Sequence, residues 1–94
     1  MRVLNPRRRR QYEAAHPDAS ASLHTWWRIT QTATWESFDQ VRQTFNSADQ
    51  VGDRVIFNIR GGHYRLVTWI DFERAIVVMK WFGTHKEYDR GEWE

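Results

Sequence analysis

The chain has 94 residues, of which 40% are hydrophobic and 15% aromatic, a composition that indicates a folded domain and excludes a disordered segment. It has no cysteine, which excludes disulfides and thiolate metal sites, and no apolar run approaches the roughly 20 residues of a membrane span. The net charge is only +2, but arginine, whose planar fork suits phosphate, supplies twelve of the fourteen cations. We therefore expect a single cytoplasmic domain over residues 1–94, with a nucleic-acid or acidic-protein partner or with an ordinary solvated surface.

The first half of the chain predicts a short strand followed by two or three helices. Pro6 marks the start of the first helix, because a proline at the first helical position loses no hydrogen bond. His16-Pro17 breaks that helix, and Asp18 or Ser20 is the expected cap of the next one. The predicted elements are a strand within residues 1–5, a helix over about 6–15, a second helix from the cap at Asp18 or Ser20 to about 32, a third over 35–45, and a turn-rich segment over 46–52.

From Asp53 onward, apolar and polar residues alternate, which predicts strands. Gly61-Gly62 lies between two such runs and is typical of a two-residue hairpin turn. A second turn is expected at 71–74 and a last strand over 75–82. The sequence therefore predicts an α+β fold, in which an N-terminal strand and two to three helices pack on an antiparallel sheet of three to four strands.

The hairpins decide which side chains share a face of the predicted sheet. With the two glycines as the first turn, Asn58 faces Arg65 on the next strand. Closing the second hairpin at residues 72–73 would place Lys80 opposite Arg65, and like charges across a ladder are destabilising. A cost of this kind is expected at a functional site, unless each cation pairs with a carboxylate. The predicted cationic face carries Arg54, Asn58, Arg60, His63, Arg65, Trp69 and Lys80.

The segment KWFGTHKEYDR, residues 80–90, brings proton-transfer groups to the end of the last strand. Gly83 is expected to end that strand, which delivers His85, Glu87 and Tyr88 to the edge of the cationic face. Cleavage of RNA by its own 2′-hydroxyl needs a base, an acid and positive charge on the phosphate. It needs neither a metal ion nor a cofactor, and the sequence predicts neither. A module that only binds RNA would not require both His85 and Tyr88.

The segment VIFNIRGGHYRLVTWIDFERAIVVMKWFGTHKEYDR resembles the toxin component of HigB-type toxin–antitoxin systems, in the RelE-like superfamily. The opening MRVL, the HPDA after the first helix and the SAD before the first hairpin match as well. The resemblance implies a compact α+β fold and an endoribonuclease that cleaves mRNA, in many members in the A site of the ribosomal 30S subunit. It also implies a HigA-like helix-turn-helix antitoxin as partner. The alternatives are a non-catalytic RNA- or ribosome-binding module with a basic sheet face and a protein-interaction domain with an acidic partner.

The same resemblance implies four catalytic residues. Arg65 of YRLV resembles the arginine that contacts the scissile phosphate, and Arg60 of NIRG stands in the place of a basic transition-state stabiliser. His85 of GTH lies where relatives place an acid. Tyr88 of EYD resembles the terminal tyrosine that stacks on or deprotonates the nucleotide, and we expect stacking. The other expected RNA contacts are Arg54, Asn58, His63, Trp69, Lys80 and Lys86, with Glu87 or Asp89 as a reserve base.

Two features of the helical half predict an antitoxin-binding surface. Arg7–Arg10 form a run of four arginines on the first helix, which suits an acidic partner or RNA, or is simply a solvated helix face. Trp26 and Trp27 occupy adjacent helical positions and cannot both face one core, so one of them is expected to be exposed. We expect the antitoxin to contact Arg8, Arg9 and the exposed member of the Trp26/Trp27 pair.

Overall fold

The computed structural model describes residues 1–94. Its helices are α1 (Pro6–Ala15), α2 (Ser20–Thr32), α3 (Phe38–Thr44) and α4 (His85–Asp89), and a 3₁₀ turn covers Pro17–Ala19. Its strands are β1 (Arg2–Val3), β2 (Asp49–Val51), β3 (Arg54–Ile59), β4 (Tyr64–Asp71) and β5 (Ile76–Thr84). None of the helices is long and apolar enough to cross a membrane.

The predicted boundaries of the first two helices are confirmed, but the expected cap of α2 is wrong. α1 begins at Pro6 and ends at Ala15. α2 begins at Ser20, and no side chain caps its first turn. The Asp18 carboxylate instead accepts hydrogen bonds from the Tyr64 hydroxyl on β4, so it ties the helical half to the sheet.

The segment between α2 and β3 differs from its prediction. α3 begins at Phe38, later than expected, because the Ser37 hydroxyl caps it by accepting a hydrogen bond from the amide of Gln40 at 3.4 Å. The stretch predicted as turns contains β2, which pairs antiparallel with β3. Gly52-Asp53 is the two-residue turn between them, and this dipeptide is the sequence signal for the hairpin.

The five strands form one mixed sheet in the order β1-β5-β4-β3-β2, in which only the β1–β5 pair is parallel. The α+β class is thus confirmed, with one strand more than expected. The register predicted for the β3–β4 hairpin is also confirmed, since Asn58 pairs with Arg65. The turn between these strands contains four residues, 60–63, and its central Gly61 and Gly62 both have positive φ, as the central residues of a tight hairpin turn often do.

The register predicted for the β4–β5 hairpin is wrong. Its turn contains four residues, 72–75, rather than two, and a β-bulge interrupts the ladder after Val67. Lys80 falls at this bulge without a partner, because a bulge leaves its extra residue outside the ladder. Gly83 therefore stands opposite Arg65, and the expected repulsion between Lys80 and Arg65 does not occur.

Helices α1–α3 pack on one face of the sheet and form the hydrophobic core with it. Phe57 of β3 lies among the rings of Trp26, Trp35 and Phe45, at centroid distances of 5.4, 6.2 and 5.3 Å. Aromatic rings bury large apolar areas and dominate the stability of a small core. Alternation along the strands directs the residues between these core positions to the opposite face, where the candidate site lies.

Candidate functional site

A cleft of about 420 Å³, which we call the Arg65 cleft, opens on the sheet face opposite α1–α3. Its volume lies within the range of roughly 300–1,000 Å³ that is usual for ligand sites. The sheet, α4, the last turn of α3 and the connection from α3 to β2 all contribute to its walls. The cleft is lined by Arg42, Ser47, Ala48, Asp49, Ile56, Asn58, Arg65, Tyr88 and Asp89.

Arg65 is held in this cleft by backbone carbonyls rather than by a carboxylate. Its Nη1 donates to the carbonyl oxygen of Gly62 at 2.7 Å and to that of Tyr64 at 3.3 Å. It forms no ion pair, so no carboxylate oxygen occupies its donors, although Asp49 and Asp89 line the same cleft. The remaining guanidinium donors are therefore available to an anion that enters the cleft.

Tyr88 stands beside Arg65, whose Cζ atom is 6.0 Å from the centre of the Tyr88 ring. Trp93 stacks on the same ring, with centroids 5.2 Å apart and planes inclined by 11°. Burial, and then the negative charge of Asp49, raises the pKa of Tyr88. The phenol is thus protonated at neutral pH and can donate a hydrogen bond. Trp93 covers one face of the ring, so the expected stacking of a nucleotide could use only the other face.

Helix α4 begins with a capping box that occupies Glu87. The Thr84 hydroxyl accepts a hydrogen bond from the amide of Glu87 at 3.2 Å, and Glu87 Oε1 accepts one from the amide of Thr84 at 2.8 Å. The bond from the Thr84 amide lowers the pKa of Glu87. A carboxylate that is bound and made more acidic in this way is a poor proton acceptor, which disfavours Glu87 as the reserve base.

His85 and Asp89 lie one helical turn apart on α4 and contact each other. His85 Nδ1 is 3.4 Å from Asp89 Oδ2. Asp89 lines the Arg65 cleft, whereas His85 lines a second cleft of about 270 Å³. A carboxylate on one imidazole nitrogen orients the ring, so this pair is suited to proton transfer at the junction of the two clefts. No group of three or more His, Asp or Glu side chains is placed to hold a metal ion.

The second cleft contains Arg60, which the sequence placed on the same sheet face as Arg65. That placement is wrong. Arg60 has a φ of 53°, and its Nη1 lies 3.3 Å from Asp18 Oδ2 on the helical side, because the left-handed turn redirects its side chain. Asp18 also accepts hydrogen bonds from the Tyr64 hydroxyl at 2.7 and 2.8 Å, which lower the pKa of Asp18. The second cleft is lined by Asp18, Arg60, His63, Tyr64, Thr84, His85 and Lys86.

A family model, HigB_toxin, described as the RelE-like toxic component of a toxin–antitoxin system, matches residues 19–91. The chain belongs to this family. The matched span includes every residue of the Arg65 cleft, and the helices and five-stranded sheet are consistent with a RelE-like fold. The protein is therefore a toxin of a toxin–antitoxin system, and its partner is an antitoxin. No curated protein matches the chain.

The other RNA contacts predicted for the toxin divide between the clefts and the open sheet. Three of them line the clefts, namely Asn58, His63 and Lys86. Three others line neither cleft, namely Arg54, Trp69 and Lys80. Arg54 pairs with Asp53 at 3.1 Å, and Trp69 stands opposite Arg54 on the β3–β4 ladder. The two clefts therefore include only some of the residues of the cationic face that was expected from the sequence.

Three polar residues of the toxin's Arg65 cleft were not predicted, namely Arg42, Ser47 and Asp49. Asp49 pairs with Ile56 on the β2–β3 ladder, which places it at the cleft. The Gly52-Asp53 turn signal would have predicted this hairpin and hence the position of Asp49. Arg42 donates to the carbonyl of Asn46 at 3.1 Å, and no sequence pattern indicates that it reaches the cleft.

On the helical side of the toxin, Trp26 and Trp27 divide as predicted. Trp26 is only 2% exposed, so the expectation that it contacts the antitoxin is corrected: it belongs to the core. Trp27 is half-buried and carries the Arg9 guanidinium over its ring, with Cζ 4.6 Å from the ring centre. Arg9 also pairs with Glu13 at 2.7 Å, and Arg8 donates to a backbone carbonyl of β5 at 2.6 Å. Both arginines thus hold α1 against the rest of the domain.

Proposed function

We propose that the toxin is an endoribonuclease that cleaves mRNA on the translating ribosome by attack of the RNA's own 2′-hydroxyl. The observation that carries this proposal is Arg65, an arginine without an ion-pair partner in a cleft bordered by the phenol of Tyr88 and by Asp89, which contacts His85. A scissile phosphate suits such a site, because a fixed cation stabilises the charge that develops on the phosphate oxygens. Membership of a RelE-like toxin family supports the same reaction class.

In the proposed reaction, the 2′-oxygen attacks the adjacent phosphorus and the 5′-oxygen leaves. The products are a 2′,3′-cyclic phosphate and a 5′-hydroxyl end, and no metal ion takes part. Arg65 binds the non-bridging oxygens through the guanidinium donors that the protein leaves free. Tyr88 donates its phenolic hydrogen to the same phosphate, since a tyrosine is protonated at neutral pH and burial shifts the pKa of Tyr88 further upward.

His85 and Asp49 are the proposed acid and base. Histidine is the side chain best suited to release a proton near neutral pH, and Asp89 orients the His85 ring for transfer to the departing 5′-oxygen. We place the base among the carboxylates near Tyr88. Glu87 is occupied by the capping box and Asp89 by His85. Asp49 lines the Arg65 cleft, and although its Oδ1 accepts a hydrogen bond from the amide of Gln50 at 2.9 Å, its Oδ2 remains to accept the proton of the 2′-hydroxyl.

Both clefts are open to solvent, and we propose that the A site of the 30S subunit holds the RNA in its final position. A correctly oriented substrate accounts for a large part of many rate enhancements, and the ribosome holds mRNA in a defined conformation. The second cleft, with Arg60, His63 and Lys86, would bind a neighbouring phosphate of the same strand. This activity requires the cytoplasm, where translating ribosomes are found.

Cleavage of an mRNA on programmed ribosomes tests the mechanism. A single 2′-deoxy substitution at the cleaved nucleotide should abolish the cut, whereas the same substitution at the next nucleotide should leave it. Products ending in 2′,3′-cyclic phosphate are expected, and 3′-hydroxyl ends would contradict the mechanism. Ribosomes that stall on intact mRNA would favour the alternative, a non-catalytic ribosome-binding module. Efficient cleavage of naked RNA at physiological salt would show that cleavage does not require the ribosome.

Substitution of His85 tests the assignment of the acid. Loss of a general acid typically costs roughly 10²–10⁴-fold in rate. His85→Gln keeps the approximate size of the side chain but cannot transfer a proton, so it should slow single-turnover cleavage to that extent. Its affinity for ribosomes should stay unchanged, which a parallel binding measurement checks. A His85→Gln toxin that cuts at the wild-type rate would show that another group protonates the leaving oxygen.

We further propose that a HigA-like helix-turn-helix antitoxin binds the helical side of the toxin. The half-buried Trp27 supports this surface, because partly exposed tryptophans are frequent anchors of protein interfaces. Arg7 and Arg10 of α1 are exposed, unlike the two arginines between them, and suit an acidic partner. The sheet face with the Arg65 cleft would then remain uncovered in the complex.

A further inference from the structure

The C-terminal tail of the toxin folds back through a defined turn at the end of α4. The amide of Gly91 donates to the carbonyl of Tyr88 at 2.9 Å, and the amide of Glu92 donates to that of Glu87 at 3.2 Å. These two bonds are the pair that defines a Schellman motif. Gly91 has a φ of 79°, a left-handed conformation that glycine adopts without a steric penalty. The turn therefore directs the last residues back towards the helix.

This turn brings Trp93 onto the ring of Tyr88. The two rings are nearly parallel, with an angle of 11° and centroids 5.2 Å apart. Stacked aromatic pairs are favourable beyond the area that they bury. The Arg65 guanidinium is 6.0 Å from the centre of the same Tyr88 ring, so Tyr88 has a neighbour in the cleft and a neighbour in the tail.

We infer that Trp93 is a positioning residue, which holds the Tyr88 hydroxyl in the Arg65 cleft for contact with the scissile phosphate. The inference rests on the proposed ribonuclease function. A tyrosine at the edge of an open cleft loses conformational freedom when it binds a phosphate, and a ring that is already fixed by stacking avoids that loss. Trp93 lies outside residues 19–91, which match the family model, so this chain's own tail supplies the contact.

The stacking also accounts for the state of the phenol. Burial is the main cause of the raised pKa of Tyr88, and the Trp93 ring covers one face of the tyrosine. A phenol that stays protonated donates its hydrogen to the phosphate, whereas a phenolate would repel it. Trp93 would therefore influence both the orientation of this hydroxyl and the pKa of the phenol.

A double-mutant cycle on programmed ribosomes tests the inference. Trp93→Ala should lower the single-turnover rate about ten- to a hundredfold, the loss expected when a catalytic group is misplaced, with little change in the half-saturating toxin concentration. In a Tyr88→Phe background, Trp93→Ala should have no further effect, because the hydroxyl that it positions is already absent. Trp93→Phe keeps a ring for stacking and should restore most of the rate.

The matched control is Glu92→Ala in the same tail. The Glu92 side chain pairs with Arg90 at 2.6 Å and does not stack on Tyr88, so this variant should cut at the wild-type rate. If Trp93→Ala is equally harmful with and without the Tyr88 hydroxyl and also weakens RNA binding, Trp93 contacts the RNA itself and the inference is overturned. Wild-type cleavage by Trp93→Ala overturns it as well.

A measurement without cleavage separates this inference from the proposed function. NMR of toxin labelled with ¹³C-tyrosine follows the ionisation of Tyr88, whose signal is identified by its loss in Tyr88→Phe. Trp93→Ala should move the titration midpoint down towards that of an exposed tyrosine, and Trp93→Phe should not. An unchanged midpoint contradicts positioning by Trp93. A shifted midpoint in a toxin whose wild-type form cuts no mRNA supports the positioning and contradicts the ribonuclease proposal.

Discussion

The charge of Arg65 is the single-residue feature on which cleavage should depend most. Its guanidinium is fixed by the carbonyl of Gly62 at 2.7 Å and has no carboxylate partner. Arg65→Ala should lower the single-turnover rate about 10²–10³-fold, the usual loss when one charge-stabilising donor is removed. Arg65→Lys should recover little, because an ammonium group lacks the planar fork that binds two phosphate oxygens.

The control for Arg65 is the loss of an arginine far from both clefts. Arg74, in the β4–β5 turn, has a side chain that is 79% exposed and lies 3.8 Å from Asp71. Arg74→Ala should therefore cut mRNA at the wild-type rate on programmed ribosomes. If Arg65→Ala cuts as fast as Arg74→Ala and is equally folded by circular dichroism, the phosphate does not bind at Arg65.

Among the secondary-structure elements, α4 is the one whose stability depends most on the hydrogen bonds at its two ends. It has five residues, too few to be stable alone, and is held by the capping box at Thr84 and the Schellman motif at Gly91. Glu87→Gln preserves the box, since a glutamine oxygen accepts the same hydrogen bond. This variant should keep the stability and a cleavage rate close to that of wild type. A catalytic base at this position would instead lose its function with the carboxylate.

Thr84→Ala is the companion variant, because it breaks the capping box and leaves Glu87 in place. Loss of a threonine cap costs about 0.5–2 kcal/mol, so the midpoint of urea denaturation should fall. Cleavage should fall with it, since α4 carries both Tyr88 and the His85–Asp89 pair. An inactive but fully stable Glu87→Gln toxin would contradict the purely structural role of Glu87. It would indicate that Glu87 acts as the catalytic base.

How well the register of the strands could be predicted from the sequence depended on the residues in each turn. Gly61-Gly62 carries its own conformational signal, so the β3–β4 register and the pairing of Asn58 with Arg65 are predicted correctly. The next turn contains no glycine, although Ala75 adopts a φ of 58°, and alternation of side chains does not reveal the bulge at Lys80. A register error of one residue exchanges the two faces of a strand.

The candidate site, like the register of the strands, was predicted only in part from the sequence. Arg65 and Tyr88 meet in one cleft as their predicted roles require, but Arg60 leaves that face because of a backbone conformation unusual for arginine. Helix α4 is too short for helical periodicity to show in the sequence. Its T-x-x-E start, Thr84 to Glu87, is the local signal that would have placed His85 on a helix instead of a loop.

At the scale of the whole molecule, Asp18 joins the helical layer to the sheet. The Tyr64 hydroxyl donates to its carboxylate at 2.7 and 2.8 Å, and this bond holds the Asp18 pKa below its ordinary value. A carboxyl whose pKa is lowered by folding contributes stability above its ordinary pKa, and that stability is lost as pH falls through the folded value. Asp18→Asn should reduce the free energy of unfolding at neutral pH. The difference in free energy of unfolding between Asp18→Asn and wild type should shrink below about pH 4.

Urea denaturation at a series of pH values measures this difference, with Asp53→Asn as the control. Asp53 also pairs with an arginine, Arg54 at 3.1 Å, but its side chain is 74% exposed. Exposed ion pairs contribute about 0–1 kcal/mol, so Asp53→Asn should change stability little at any pH. A difference between wild type and Asp18→Asn that is the same at neutral and acid pH would show that the Asp18 charge does not join the layers.

The two faces of the molecule separate the proposed RNA site from the proposed antitoxin surface. Trp27→Ala and the double variant Arg7→Glu/Arg10→Glu should each weaken antitoxin binding, and an anchor residue is typically worth about 2 kcal/mol, or roughly thirtyfold in Kd. Cleavage on programmed ribosomes should stay unchanged in both. Trp26→Ala is not a valid test, because emptying the core at that position costs about 3–5 kcal/mol of stability.

Calorimetry with the cognate antitoxin measures these affinities, and Arg74→Glu on the far hairpin is the charge-reversal control, expected to bind like wild type. An antitoxin on the helical side leaves the Arg65 cleft open, so it must inhibit by keeping the toxin off the ribosome. The toxin–antitoxin complex should accordingly fail to co-sediment with ribosomes that the free toxin binds. If the helical variants bind the antitoxin normally while Arg65→Ala or Lys86→Glu weakens the complex, the antitoxin covers the clefts and blocks the RNA directly.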